Sequence, residues 1–213
     1  MQVNGVYSSS ISVRRQATLS TNNAVIKNDI TNNGTLENSG STQITGNYEA
    51  LENSRVVSDL NSNIHVKGKV NLNNSRLEIK PEENGERKYV TANGTTQNVI
   101  TSDNKIDGNF ENVNTDDMLN AKINQNENTV SAEVSRKNVL EYVEKIAESD
   151  EMQKNTAQNL ETAFQNLDQS IENGTAGNVA QFERKAATLQ ALTSSNRAAV
   201  LDSLSGQIYA SAQ

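Results

Sequence analysis

Between Ala24 and Ile79 the chain carries short apolar patches at a near-even beat, set apart by Asn, Gly and Ser. Val25/Ile26, Ile30, Leu36, Ile44, Val56/Val57, Ile64/Val66, Val70/Leu72 and Leu77/Ile79 follow one another in this way. Several patches alternate, as in Ile64-His65-Val66, Val70-Asn71-Leu72 and Leu77-Glu78-Ile79. A period of two is the pattern of a strand with one buried face. Gly34, Gly40, Gly46 and Gly68, with the pairs Asn32-Asn33 and Asn73-Asn74, are expected to supply the positive-φ positions of tight turns. Strands this short cannot bury a face alone, which leaves a sandwich, a barrel or the stacked coils of a parallel solenoid. The solenoid fits best. Aromatic residues make up only 4% of the chain, and a narrow core can be filled by Val, Ile, Leu and Ala stacked rung on rung, whereas a sandwich needs larger residues to fill its thickness.

The pattern extends in both directions. From Gly5 to Ala24, Ile11 alternates with Val13 and Ala17 with Leu19, which predicts one or two further coils. Pro81-Glu82-Glu83-Asn84-Gly85 is a break, since Pro removes a ladder donor and Gly allows a reversal. Beyond it, Tyr89-Val90, Val99-Ile100, Ile106, Phe110 and Val113 are less regular, and Val130, Ala132 and Val134 alternate cleanly. A solenoid end exposes unpaired strand edges and requires a cap, so residues 82–136 are expected to form one. Near Arg136 the period changes from two to 3.6. Val139, Leu140, Val143, Ile146 and Ala147 predict one helix. Leu160, Ala163, Phe164, Leu167 and Ile171 predict a second, starting near Asn155 and closed by Asn173-Gly174. Val179, Phe182, Ala186 and Leu189 predict a third from about Asn178. Leu201, Leu204 and Ile208 predict a fourth, capped by Ser194 or Ser195. The expected domains are therefore 1–81 as β-helix coils, 82–136 as a β cap and 137–213 as a helical region. The chain starts in strand-like and stops in helix-like sequence, the expectation for a piece of something longer.

Composition excludes several classes. The 213 residues carry a formal net charge of −7, and basic doublets such as Arg14-Arg15 and Arg184-Lys185 are too short to track a phosphate backbone. With no Cys there is no disulfide framework or thiolate metal site. No run reaches the length of a membrane-spanning helix. His65 is the single His, placed on the strand face opposite Ile64 and Val66 and expected to be solvated. It lacks the neighbours of a zinc site or of a hydrolase triad. Asp103-Asn104-Lys105-Ile106-Asp107-Gly108 is half of a calcium loop, with Lys105 at the third position and Asn114 at the twelfth. It reads as a surface turn, as does Asp116-Asp117. Glu82 and Glu83 are adjacent and solvated. The sequons at Asn33, Asn73, Asn93 and Asn173 are what chance delivers in so Asn-rich a chain. No catalytic, cofactor-binding or metal-binding residue is assigned.

Three stretches resemble a known family. Gly34 to Ile79, with TLENSGSTQITGNY and then LNSNIHVKGKVNLNNSRLEI, is similar to the last β-helix coils of monomeric type V autotransporter passengers, most of all those with subtilisin-like passengers. NTVSAEVSRKN (Asn128 to Asn138) is similar to the strand and Arg-x-Asn that close the family's autochaperone region. AVLDSLSGQIYASAQ (Ala199 to Gln213) resembles the segment ahead of the translocator barrel. Gln207 stands where that family often has Glu, and Asn74 and Ser75 stand where glycines are usual.

What the resemblance implies is a mainly β fold: a right-handed parallel β-helix (solenoid) with an irregular β cap and a C-terminal α-helical segment. It also implies a non-catalytic stem, displayed at the bacterial surface or outside the cell, that nucleates passenger folding during outer-membrane secretion. Its partners would be its own translocator β-barrel and an upstream passenger domain, the latter a serine protease in the subtilisin-like case; it would act as a monomer, with no nucleic acid and no membrane insertion of its own. Tyr89, Val90, Phe110, Val130, Ala132 and Val134 are the expected folding nucleus. The alternative is an adhesin module binding a host protein or glycan through the β-helix surface. A β-helix lyase or hydrolase is a third class, and it lacks the clustered carboxylates such chemistry rests on.

Overall fold

The computed structural model describes residues 1–145, 150–175, 177, 180–191, 193, 195–196, 199–201 and 203–204. Ile146, Ala147, Asn178, Val179, Ser194, Ile208 and most of AVLDSLSGQIYASAQ lie outside the described residues. The chain divides into two compact units. The first comprises Met1–Glu86, Thr95–Thr115 and Ala121–Val134; the second comprises Arg87–Gly94, Asp116–Asn120 and the described residues from Ser135 on.

The first unit is the expected parallel β-solenoid. One stack consists of five strands: Ile11–Val13, Ile30–Asn32, Tyr48–Ala50, Val70–Asn71 and Ile106–Asp107. A second stack consists of Thr18–Ile26, Thr35–Ser39, Arg55–Asp59, Arg76–Lys80 and Asn112–Asn114. The third consists of Gln2–Tyr7, the end of Thr18–Ile26, Ser41–Ile44, Asn63–Val66 and Thr95–Ser102. Thr18–Ile26 runs through the corner and belongs to the second and third stacks together.

Pairing in register turns the apolar beat into inward columns. Ile11, Ile30, Tyr48, Val70 and Ile106 are Cα partners in one column. Leu19, Leu36, Val56, Leu77 and Val113 form another, and its first four members are at most 1% exposed. Burying a side chain of this size stabilises by about 1.5–3 kcal/mol. The coil step is uneven. It is 17 residues from Thr21 to Asn38, 18 from Asp29 to Asn47, 22 from Asn47 to Lys69 and 36 from His65 to Thr101. Corners absorb these differences, so the columns stay aligned while the sequence period drifts.

The interior also holds polar columns. Thr21, Asn38 and Ser58 lie in register, and all are buried. Thr21 Oγ1 donates to Asn38 Oδ1 at 3.0 Å. Asn32, fully buried, donates through Nδ2 to the Arg55 carbonyl at 3.1 Å and to Tyr48 Oη at 3.3 Å, and accepts from the Gly34 amide at 3.0 Å.

The turns depart from expectation in one respect. Asn73 and Asn74 take φ of 43° and 53°, but of the four glycines only Gly40 is positive, at 87°. Neither Asn32 nor Asn33 has positive φ. Gly34, Gly46 and Gly68 answer a different demand, close approach of neighbouring coils. A Cβ on Gly68 would lie 2.4 Å from the Gly46 carbonyl oxygen, and one on Gly34 would lie 2.3 Å from that of Ala17.

The coils also continue past Pro81, where a cap was expected to begin. Glu82–Glu83 and Glu86–Arg87 form a small ribbon whose Asn84-Gly85 turn has φ of 53° and 80°, the conformation of a tight hairpin. After this insertion Ile100 pairs with Ile64, Ile106 with Val70 and Val113 with Leu77, adding another coil. Phe110 is buried on that coil. The irregular β part is antiparallel: Thr95–Ser102 pairs with Thr129–Arg136, which neighbours Leu119–Gln125. Val130, Ala132 and Val134 are fully buried, as their alternation indicates.

In the second unit, α1 is Val139–Glu144, α2 is Glu151–Glu172 and α3 is Ala180–Gln190. Asn138 caps α1, its side chain accepting from the Glu141 amide. Asp150 caps α2 in the same way at Gln153, which places its start before Asn155. Gly174, at φ 70°, ends α2, with the Thr175 amide donating to the Ser170 carbonyl. Tyr89, Met118, Val139, Val143, Phe164, Leu167 and Ala186 share one core. The Tyr89 and Phe164 rings meet edge to face, centroids 5.5 Å apart. Among the described residues no helix is long and apolar enough to cross a membrane.

Gly68→Ala is expected to destabilise the chain by about 2–3 kcal/mol, because its new methyl group meets backbone rather than a movable side chain. Gly177→Ala, where the added atom meets nothing within 4 Å, is expected to change stability by less than about 0.5 kcal/mol. Urea unfolding of both variants checks the contrast.

Candidate functional site

The outer face of the third stack brings together residues from separate coils. Gln43, His65 and Thr101 are register partners. His65 Nδ1 lies 3.1 Å from Thr101 Oγ1, and Nε2 lies 3.2 Å from Asp103 Oδ1. Thr101 Oγ1 donates to Asn63 Oδ1 at 3.3 Å. His65 is thus half-buried and held on both ring nitrogens, not freely solvated. Its acidic neighbour comes from the next coil, a proximity no local pattern in the sequence encodes. The order carboxylate, imidazole, hydroxyl is that of a hydrolase triad, and the Thr101 hydroxyl stands between two acceptors, His65 Nδ1 at 3.1 Å in the tautomer that donates to Asp103 and Asn63 Oδ1 at 3.3 Å.

Beside this chain lies a groove of about 320 Å³ lined by Asn61, Ser62, Asn63, Thr96, Gln97, Asn98 and Thr101. Its origin is topological. On one edge Thr95–Ser102 pairs antiparallel to Thr129–Arg136 from Thr95 to Thr101, with a register shift between Asn98 and Ile100; on the other edge it pairs parallel to Ile64–Val66, at Ile100–Ser102. The parallel ladder to the neighbouring coil thus covers only Ile100–Ser102, and the surface opens between Asn61–Asn63 and Thr96–Asn98. Several groove groups are fixed by the backbone. Gln97, 7% exposed, accepts from the Asn61 amide at 2.7 Å and donates to the Asp59 carbonyl at 3.1 Å. Asn63 Nδ2 donates to the Asn98 carbonyl at 3.1 Å. Ser62 Oγ accepts from the Gly40 amide at 2.7 Å. Asn98 and Thr96 are exposed.

Next to the groove, burial pushes the Asp59 carboxyl up to about 6. Glu82 and Glu37 add to the rise, and Lys80 opposes it.

The second unit holds a buried ionic network. Arg136 Nη1 donates to both Glu161 oxygens at 3.0 and 3.1 Å, while Nε and Nη2 reach Asp168 Oδ2 at 2.9 and 2.7 Å. The three side chains are at most 9% exposed. Tyr89 Oη donates to Asp168 Oδ1 at 2.9 Å, the Val139 amide to Glu161 Oε2 at 2.7 Å and the Ala92 amide to Asp168 Oδ2 at 3.3 Å. Burial works against the guanidinium charge, but the Asp168 hydrogen bonds and the charges of Asp168 and Glu161 outweigh it and hold Arg136 above its ordinary value. Burial also pushes the Tyr89 phenol up. Gln190 closes the set, exchanging bonds of 2.7 and 2.9 Å with the Val90 backbone. A cleft of about 610 Å³ in this unit is lined by Lys137, Asn138, Glu141, Tyr142 and Lys145 among others. Lys137 Nζ donates to the Asp117 carbonyl there and lies 5.7 Å from the Tyr142 ring centre.

The remaining sequence candidates do not converge. Residues 103–105 form the corner between Thr95–Ser102 and Ile106–Asp107. Asp116 pairs with Arg87. At the Asn73 sequon the amide nitrogen donates to the Ala50 carbonyl at 2.7 Å and Ser75 is fully buried. Of the six expected nucleus residues, Phe110, Val130, Ala132 and Val134 belong to the first unit, and Tyr89 and Val90 to the second. Among the described residues no group of His, Asp and Glu is placed to hold a metal ion. Set against protein-family models, curated proteins and solved structures, the chain matches none.

Two outcomes are expected. Arg136→Met leaves two buried carboxylates without their cation and should cost about 3–5 kcal/mol, while replacing Arg136, Glu161 and Asp168 together by apolar residues should cost less. Thermal unfolding compares them. For Asp59, ionisation opposes folding, so its contribution improves as pH falls through about 6 and is complete below its unfolded value near 4. Asp59→Asn should therefore raise stability by about 1 kcal/mol at about pH 7.5, after discounting for solvent screening, and have little effect at about pH 4. Urea titrations at the two pH values check the sign.

Proposed function

We propose that this chain is a non-catalytic stem of a monomeric autotransporter passenger, exported across a bacterial outer membrane, where it nucleates folding and displays an upstream domain. The observation that carries this reading is the change from parallel to antiparallel pairing at Thr95–Ser102. In a ladder of coils each of which contacts its neighbours, the third stack continues into the antiparallel strands Thr129–Arg136 and Leu119–Gln125. Folding of such a ladder propagates from whichever end is most stable. The resemblance of TLENSGSTQITGNY, NTVSAEVSRKN and LDSLSGQIYASAQ to the family supports the same reading. So do the places of Arg136, which bonds the helical unit's carboxylates, and Asn138, which caps its first helix. An adhesin role is the second reading, favoured by the groove at Asn61–Asn63 and Thr96–Asn98.

Hydrogen exchange on the whole chain tests the stem. Protection should be greatest at Thr95–Ser102 and Thr129–Val134 and should fall coil by coil towards Ile11–Val13. Val130→Asp should reduce the protease-resistant, surface-displayed chain at least fivefold when it is secreted ahead of an autotransporter barrel. Greatest protection at Ile11–Val13, or unchanged display of the variant, would count against the stem.

A further inference from the structure

We infer that the groove at the change of pairing is a binding subsite for a short neutral glycan. The inference rests on the second, adhesin reading and names its ligand class. All seven groove residues carry a hydroxyl or a carboxamide, and none is charged or aliphatic. Such a lining matches a ligand that offers hydroxyl donors and acceptors and no charge. The chain's net charge of −7 weighs against anionic ligands on the same face.

Preorganisation supports the same class. Gln97 and Asn63 are held by backbone partners on adjacent coils, at 2.7 Å and 3.1 Å, so their orientation requires little further ordering when a ligand arrives. Thr101 and His65 are locked in turn, through the bonds to Asn63 and Asp103. Asn98 and Thr96 stand exposed at the rim and can reach a sugar hydroxyl. The groove runs across two coils whose strands pair at the adjoining residues, Ile64–Val66 with Ile100–Ser102, where the ladder spacing is about 4.8 Å, roughly the advance of one sugar residue along an extended glycan. Its volume is at the lower end for ligand sites, which run from about 300 Å³; that suits a disaccharide unit. His65 stands behind the lining, 3.1 Å from Thr101 Oγ1, and holds that residue in place. Without an aromatic platform the affinity should be modest, with Kd on the order of 10⁻⁴–10⁻³ M.

The test is a two-dimensional NMR titration of the isotopically labelled full chain. The probes are neutral disaccharides of glucose, galactose, mannose and N-acetylglucosamine, with a sulfated disaccharide as control. At least one neutral probe should give saturable shifts at the amides of Asn61–Asn63 and Thr96–Thr101. Asn98→Ala and Thr96→Val, both rim changes, should each weaken it at least fivefold, with the unfolding midpoint within about 2 °C of the parent. His65→Ala should weaken it about threefold. No saturable shift with any neutral probe, or stronger binding of the sulfated one at the same amides, would overturn the inference. Saturable shifts confined to another face and unmoved by Asn98→Ala would also overturn it while leaving the adhesin reading standing. That reading fails separately if cells displaying the chain adhere to no host surface.

Discussion

Parallel strand stacking locks pairing register to side-chain direction, because a slip of one residue would turn every inward side chain outward. Each coil of this solenoid therefore depends on the next. Leu36 is buried only because Leu19 and Val56 lie in register on either side of it, and the same holds for Ile30 between Ile11 and Tyr48. No coil has a core of its own. The corners obey the same condition: Gly46 and Gly68 are glycine because their coils approach to a distance that a β-carbon would occupy. The uneven coil steps are tolerated since only the paired strands, not the corners between them, must align.

Polar groups inside the solenoid reinforce the register. Leucine columns alone accept shifts that keep parity, whereas a buried amide is satisfied only where its partners stand. Asn32 finds the Arg55 carbonyl, Tyr48 Oη and the Gly34 amide in one arrangement, and Thr21 finds Asn38. The second unit uses the stronger form of this device. Arg136 is surrounded by Glu161, Asp168 and Tyr89, beside the apolar core that Phe164, Leu167 and Val139 build. A buried ion set contributes little net stability against a hydrophobic substitute and a large penalty against any partial arrangement. It therefore selects one packing of α2 against residues 87–94 and the end of the Thr129–Arg136 strand.

Much of this was legible in the residues. The spacing of Ile30, Leu36, Ile44 and Val56 indicated stacked short strands, and the alternation at Val130, Ala132 and Val134 indicated a strand with one buried face. The change of period at Arg136 marked the entry to the helices, and Asn173-Gly174 marked the end of α2. The continuation of the coils beyond Pro81 was hidden by the Asn84-Gly85 ribbon, which stretches one coil step to 36 residues and removes the local rhythm. Asp150 leaves no periodic mark as the start of α2, because a cap needs one polar side chain and no apolar neighbour. A glycine that bends the chain and one that makes room for another chain segment look alike in sequence, and Gly34, Gly46 and Gly68 are of the second kind.

Sequence by itself determined the class of structure, a narrow parallel solenoid followed by helices, because side-chain period and turn residues are local properties that act within each strand or helix. Tertiary structure alone decided which residues meet. His65 acquired Asp103 and Thr101, Arg136 acquired Glu161 and Asp168, and an ordinary run of Thr, Gln and Asn became the wall of a groove. These meetings depend on corner lengths, an inserted ribbon and a change from parallel to antiparallel pairing, and they join residues dozens of positions apart. The physical reason is that pairing between coils is set by the summed burial of whole columns, a quantity that no single segment carries.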